Sequence, residues 1–253
     1  MLNALWLSVS PSLDRFDQRL IRHLTRQGSL HHWEYHQTPD EPCCLETAIV
    51  LLHDFLKQHH RPVHLLGHGI SGVVGLLYAQ KHPERVRSLT LLSVGANPAI
   101  SWHTHYYALR NLLPCSRDMI LAQMIQTLFG PQGNAMTTAL VALLQQDLDY
   151  SLTPHSLVSH TLLTVEAIVP PLLICHGGRD TVLDPNAQLQ WQYLLKPRDH
   201  HWTCLEGRHF FHYEYPQQVA ETIHAYWRSL ESPPLSSPIR PTVISATSRP
   251  REF

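Results

Sequence analysis

Val63-His64-Leu65-Leu66-Gly67-His68-Gly69-Ile70-Ser71-Gly72 is the stretch whose reading decides the fold. A short apolar run meets two glycines that flank a histidine. A helical pattern leaves at once, through Gly75, Leu76, Tyr78 and Ala79. Strand, tight turn and helix in such close order place the turn residue at the top of a sheet. The first amides of the emerging helix can stabilise negative charge beside it.

Outward from this stretch, β-type and amphipathic segments alternate. On the N-terminal side, Ala4–Val9 is apolar and ends at Ser10-Pro11-Ser12. Helical spacing of Leu13, Phe16, Leu20 and Leu24 follows over Leu13–Arg26. His31–His36 is a weak strand candidate. Pro42 opens a helix over about Cys43–Gln58, with Leu45, Ile49, Leu52 and Leu56 on one face. On the C-terminal side, Ile70–Lys81 reads as helix and Val86–Val94 as strand. Pro171–Cys175 and His201–Leu205 are further strands, with helices near Asn186–Leu195 and Gln217–Leu230. Such alternation implies parallel strands with right-handed crossovers, hence a three-layer α/β sandwich. From about Pro98 to Ile168 only helical patterns occur, such as Met119–Phe129 and Met136–Leu148, and an insertion of that size is expected to form a helical cap. The expected domain is 1–231. From Ser232 the chain is rich in serine, proline and arginine, which predicts a disordered tail over 232–253.

Composition narrows the function classes. The 253 residues are 43% hydrophobic and 15% charged, as a globular chain is, and the formal net charge of -1 suggests neither a nucleic-acid partner nor an acidic membrane surface. The 20 histidines make surface charge unusually sensitive to mild acid. Five cysteines, an odd number with no CxxC pair, argue against a disulfide framework and point to a reducing, cytoplasmic compartment. Met1–Val9 is apolar but short, with no basic leader, and no run approaches the roughly 20 apolar residues that span a bilayer, so a soluble protein without membrane insertion is expected.

The stretch around Gly69 resembles the α/β-hydrolase family, in the cap-bearing branch whose turn reads Gly-His-Ser-x-Gly-Gly. The likeness continues through His82-Pro83-Glu84-Arg85-Val86 and Leu89–Leu92. Gly177-Gly178-Arg179-Asp180 looks like the family's acid-bearing turn, and Glu206-Gly207-Arg208-His209 like the loop with its catalytic histidine. Together these motifs cover most of residues 4 to 230. The resemblance implies an α/β-hydrolase sandwich that starts at the strand third in the full family sheet, hence a mostly parallel sheet of about six strands. It also implies Asp180 and His209 as the acid–histidine pair, Ile70 as one oxyanion donor, and a pocket near His68, Ser71, Trp102 and His103.

Two departures bear on activity. In register, Gly69 falls on the nucleophile position, and glycine has no side chain to attack a carbonyl. Sliding the motif to Ser71 puts Val73 where a glycine is required, and turns the side chain by roughly 200° around the helix, at about 100° per residue. In addition, Ser10 and Ser12 with Pro11 replace the family's His-Gly pair at the second oxyanion donor. Losing one donor costs about 2.7–4 kcal/mol in the transition state.

Two readings follow. In one, the chain is impaired as a serine hydrolase and binds a small molecule or protein partner as a pseudo-hydrolase; neuroligins are a precedent for losing the serine and keeping the fold. In the other, it is an active hydrolase or lyase that uses His209 and Asp180 to activate water or substrate. His68 reads as a packing or hydrogen-bonding residue. Trp102-His103-Thr104-His105 reads as pocket lining, since a metal site there would need further ligands that the sequence does not indicate. No nucleotide, flavin, haem or metal cofactor is expected.

Overall fold

The computed structural model describes residues 3–36, 40–41, 44–97, 100–150, 152, 168–183 and 185–231, the side chains of 185–188 excepted. The tail from 232, the turn at Pro42 and Cys43, and the second half of the insertion lie outside them. A six-stranded parallel sheet is ordered β2-β1-β3-β4-β5-β6. Its strands are β1 (Ala4–Ser8), β2 (Leu30–Glu34), β3 (Val63–His68), β4 (Val86–Leu92), β5 (Leu172–Gly177) and β6 (His200–Cys204).

The inner strands β1, β3, β4 and β5 are buried on both faces, as parallel sheets are, while the edge strands β2 and β6 are partly exposed, and successive side chains feed two cores. Leu5 and Leu7 of β1, Leu65 of β3, and Leu89 and Leu91 of β4 pack with α2 (Leu45–Leu56) and α3 (Gly69–Lys81). Trp6, Leu66, Leu92, Leu173 and Cys175 point the other way, onto α1 (Gln18–Leu24) and the last helix, α9 (Pro216–Glu231). α3 is buried on almost every side, which is why its sequence shows no polar face.

Between β4 and β5 come α4 (Trp102–Leu112), α5 (Arg117–Phe129) and α6 (Asn134–Tyr150). They carry a third core of their own, with Tyr106, Ile120, Ile125, Leu128 and Leu144 packed on Leu13, Phe16 and Phe210. α4 begins in a capping box, in which Ser101 and Thr104 satisfy each other's backbone amides. α7 (Pro185–Gln192) joins β5 to β6, and the short α8 (Phe211–Glu214) precedes α9.

Most sequence expectations hold to within two or three residues. The helix expected over Leu13–Arg26 is instead a 3-10 turn, Pro11–Phe16, followed by α1. Pro11 sits in the first turn of that 3-10 segment, and Asp17 leaves the pattern to turn its side chain inward. α4 and α8 had no distinct sequence signal. Among the described residues no helix is long and apolar enough to cross a membrane.

Candidate active site

Strand order reverses between β1 and β3, because β2 was laid on one side of β1 and β3 on the other. In open α/β sheets a crevice opens at the carboxyl ends of the strands at such a point. Here the crevice is lined by Ser8 at the end of β1 and Ser10 beyond it, and by His68, Gly69, Ile70 and Ser71 where β3 becomes α3. Trp102 and His103 of α4 cover it, His209 and Phe210 form a further wall, and the cavity volume is about 50 Å³.

At the junction of β3 and α3, Gly69 has φ +51°. That left-handed conformation is nearly free for glycine and strained for other residues. A β-carbon there would meet no heavy atom within 4 Å. Ser71, in the first turn of the buried helix, accepts the Val9 amide on its hydroxyl at 3.0 Å.

Asp180 and His209 are brought together although the sequence separates them by 29 residues. His209 donates from Nδ1 to Asp180 Oδ2 at 2.9 Å, with the two residues 2% and 5% exposed. The other carboxylate oxygen accepts the amides of Val182 and Leu183 at 2.9 and 3.3 Å. Burial would raise the Asp180 carboxyl, but its pairing with His209 and these hydrogen bonds outweigh it and hold the group below the ordinary carboxylate range. The pair fixes the His209 tautomer with its proton on Nδ1, and His209 Nε2 has no partner among the described residues.

The His209 carbonyl is held as firmly as the ring. It accepts the Ser93 hydroxyl at 2.7 Å and His68 Nε2 at 3.0 Å. Burial, then the neighbouring His212 and His209, drive His68 well below the usual imidazole range against that carbonyl, so His68 is neutral. Ser93 reaches its position from the end of β4 with φ 49°, a conformation uncommon outside glycine.

Several groups here were not foreseen. Asp17 accepts from Trp6 Nε1 at 2.8 Å and from His212 Nε2 at 2.9 Å, a second buried acid–histidine pair beside the first. Asp147 of α6 accepts from His103 Nε2 at 2.8 Å and from the Ser12 hydroxyl at 3.0 Å. Ser12 therefore faces Asp147 and is not among the residues lining the crevice, unlike Ser10. His176 closes a small network within the sheet, to His201 at 2.8 Å and Thr203 at 3.1 Å. No local motif marks Asp17, Asp147, His212 or Ser93; only the tertiary fold unites them.

Among the described residues, one grouping has ligand atoms near enough to share a metal ion: Asp14, His32 and Glu34, within 4.8 Å of one another. It lies by the edge strand β2 and is already paired internally, His32 to Glu34 at 3.0 Å and the Ser8 hydroxyl to Asp14. Burial, helped by Asp17 and Glu34 and opposed by the Ser8 hydrogen bond, pushes the Asp14 carboxyl up to about 6.

The chain is 42% identical over 233 residues to an uncharacterized protein of the cyanobacterium Synechocystis sp., covering 92% of this chain and 93% of that one. Among solved structures, a putative lipase from Acinetobacter baumannii superposes with a TM-score of 0.67 at 18% identity, over 91% of this chain and 85% of the lipase. An extracellular α/β-hydrolase from a Paenibacillus species, described as sharing structural and functional homology with tobacco salicylic acid binding protein 2, gives 0.61 at 14% identity, over 89% and 99%. The model of the alpha/beta hydrolase family matches residues 16–222, and with the parallel sheet and its crevice this places the chain in the α/β-hydrolase family.

Proposed function

We propose that this chain is a member of the family that has lost serine-hydrolase chemistry and uses its crevice to bind a ligand. The observation that carries the reading is Gly69. It stands at the nucleophile position of the strand–turn–helix, keeps the left-handed backbone of a nucleophile elbow with φ +51°, and offers no attacking atom. Ser71 does not replace it, since its hydroxyl is engaged by the Val9 amide. The helices α4–α6 act as a cap within one functional unit, residues 1–231, and Trp102 and His103 bring that cap to the crevice. A bound protein or small molecule would meet them first.

Turnover of a panel of nitrophenyl esters tests this, with wild type beside Gly69→Ser and His209→Ala. Wild type and His209→Ala are expected to match the buffer rate. Gly69→Ser is expected to gain at least about tenfold, because the acid–histidine pair and the Ile70 amide await only a nucleophile. A second reading is favoured by the intact Asp180–His209 pair, since His209 lines the crevice with Nδ1 held by Asp180, and its Nε2 could take a proton from water or substrate. Wild-type turnover that His209→Ala abolishes would establish that reading, an active hydrolase or lyase, in place of the first.

A further inference from the structure

We propose that Asp14, His32 and Glu34 bind a divalent transition-metal ion, which clamps the turn after β1 to the edge strand β2. The proposal is independent of the reading of Gly69.

The backbone sets the three side chains against one another. β2 pairs only with β1, in the register Trp6 opposite His32 and Ser8 opposite Glu34. Side chains alternate along a strand. Trp33 and Tyr35 enter the core shared with α2 and α3, so His32 and Glu34 stand on the other face, beside Trp6 and Ser8. The 3-10 turn Pro11–Phe16 brings Asp14 to them there. A ligand atom from each of the three lies within 4.8 Å of the other two. His32 Nδ1 and Glu34 Oε1 are 3.0 Å apart. That is close to the separation of adjacent ligands around an ion with bonds of about 2.0–2.2 Å. Spacing along the chain gives no hint of the site, because Asp14 and β2 meet only through the fold.

Two further observations favour an ion here over a plain cluster of polar groups. Each carboxylate has one oxygen oriented by a residue outside the trio. The Ser8 hydroxyl donates to Asp14 Oδ1, and His36 Nε2 lies 3.0 Å from Glu34 Oε2. Ligating carboxylates are held by outer partners in this way, with the other oxygen left to the metal. The second observation is charge. Among the described residues no lysine or arginine is ion-paired to Asp14 or Glu34, and the ion pairs of Glu34 are to His32 and His36. A dication answers both carboxylates at once. The imidazole selects zinc, cobalt or nickel over the harder magnesium and calcium, and water completes the shell on the exposed side. The clamped turn carries Leu13 into the crevice, and Ser8, which holds Asp14, lines the crevice too. The ion therefore stiffens one wall of that crevice.

Titration of the chelator-treated full chain with Co²⁺, followed by visible absorption, tests the proposal, with Zn²⁺ as competitor and Mg²⁺ as control. One tight equivalent is expected, without a thiolate charge-transfer band, displaced by Zn²⁺ and not by Mg²⁺. Asp14→Asn and His32→Ala should each weaken it at least about tenfold, a loss typical even of outer partners. His31→Ala should leave it unchanged, since that side chain lies on the opposite face of β2 from His32. Zn²⁺ should raise the melting temperature of wild type and His31→Ala but not of His32→Ala, and the same melts establish that each variant is folded. Glu34→Gln replaces Asp14→Asn if the latter does not fold. The proposal is overturned if no tight equivalent appears, or if either Asp14→Asn or His32→Ala leaves the equivalent intact. A thiolate band would put the ion on cysteines, and an equal loss in His31→Ala and His32→Ala would put it on histidines at large; either result also overturns the site.

Discussion

Two glycines set the geometry of the site for different reasons. Gly69 is required by its backbone angle. Gly177, the last residue of β5, is required by proximity: a β-carbon there would lie 2.3 Å from the Gly207 carbonyl oxygen and 2.4 Å from that of Arg208. Those atoms belong to the loop that delivers His209, and being backbone they cannot rotate aside. The same close approach lets the Arg179 amide donate to the Gly207 carbonyl at 2.9 Å, tying the acid-bearing turn to the histidine loop. Gly177→Ala is therefore expected to cost about 2–3 kcal/mol of stability and to pull His209 away from Asp180. Urea unfolding gives the first number. The second effect shows as a lost downfield proton resonance of the His209–Asp180 hydrogen bond, and its persistence in a folded Gly177→Ala protein would mean that the loop adapts without disturbing the pair.

At the scale of elements, Asp147 ties the insertion to the turn after β1. Its carboxylate is fully buried on α6 and reaches both α4, through His103, and the turn after β1, through Ser12. Asp147→Ala removes the acceptor and leaves His103 buried without it, a change expected to cost about 3 kcal/mol. Hydrogen exchange should then speed up in α4 and α6 ahead of the sheet strands; uniform acceleration over the whole chain would show that the insertion and sheet open as one unit. This tie also marks where reading the sequence stops. The strand–turn–helix at Gly69 and the turns bearing Asp180 and His209 are local patterns, legible because their chemistry is written in consecutive residues. Asp147 and Ser12 are 135 residues apart and carry no local signal. Pro11 was legible as a break, yet its consequence, a 3-10 turn that swings Asp17 inward to Trp6 and His212, depends on partners the periodicity of one helix cannot reveal.

For the molecule as a whole, the histidine content becomes a statement about stability once burial is known. Burial, with Arg87 nearby, drives His64 down to about 3, where its ring stacks on Trp227 and hydrogen-bonds Ser88 at 2.7 Å. Burial and then His201, against the pull of Asp180, drive His176 down to about 4. His68, His82, His201 and His224 are lowered as well, each by burial first. In the unfolded chain histidines titrate near 6.5. Between about pH 6.5 and 4 the unfolded state thus binds more protons than the folded one, so stability rises with pH across that window and is lost as pH falls through it. Each such histidine contributes up to about 1.4 kcal/mol per pH unit, less where solvent reaches it. Asp14, raised to about 6, acts with the opposite sign over much of the same window, since its folded form holds a proton that the unfolded form releases. Six lowered histidines outweigh it, and unfolding free energy is expected to fall steeply from pH 7 to pH 5. His64→Gln isolates one contribution: whatever it does to absolute stability, it should make that slope shallower by up to about 1.4 kcal/mol per pH unit. Urea unfolding at half-unit intervals measures both slopes, and parallel lines for wild type and His64→Gln would mean that His64 takes its proton in the folded state as readily as in the unfolded one, contrary to its burial between β3 and α9.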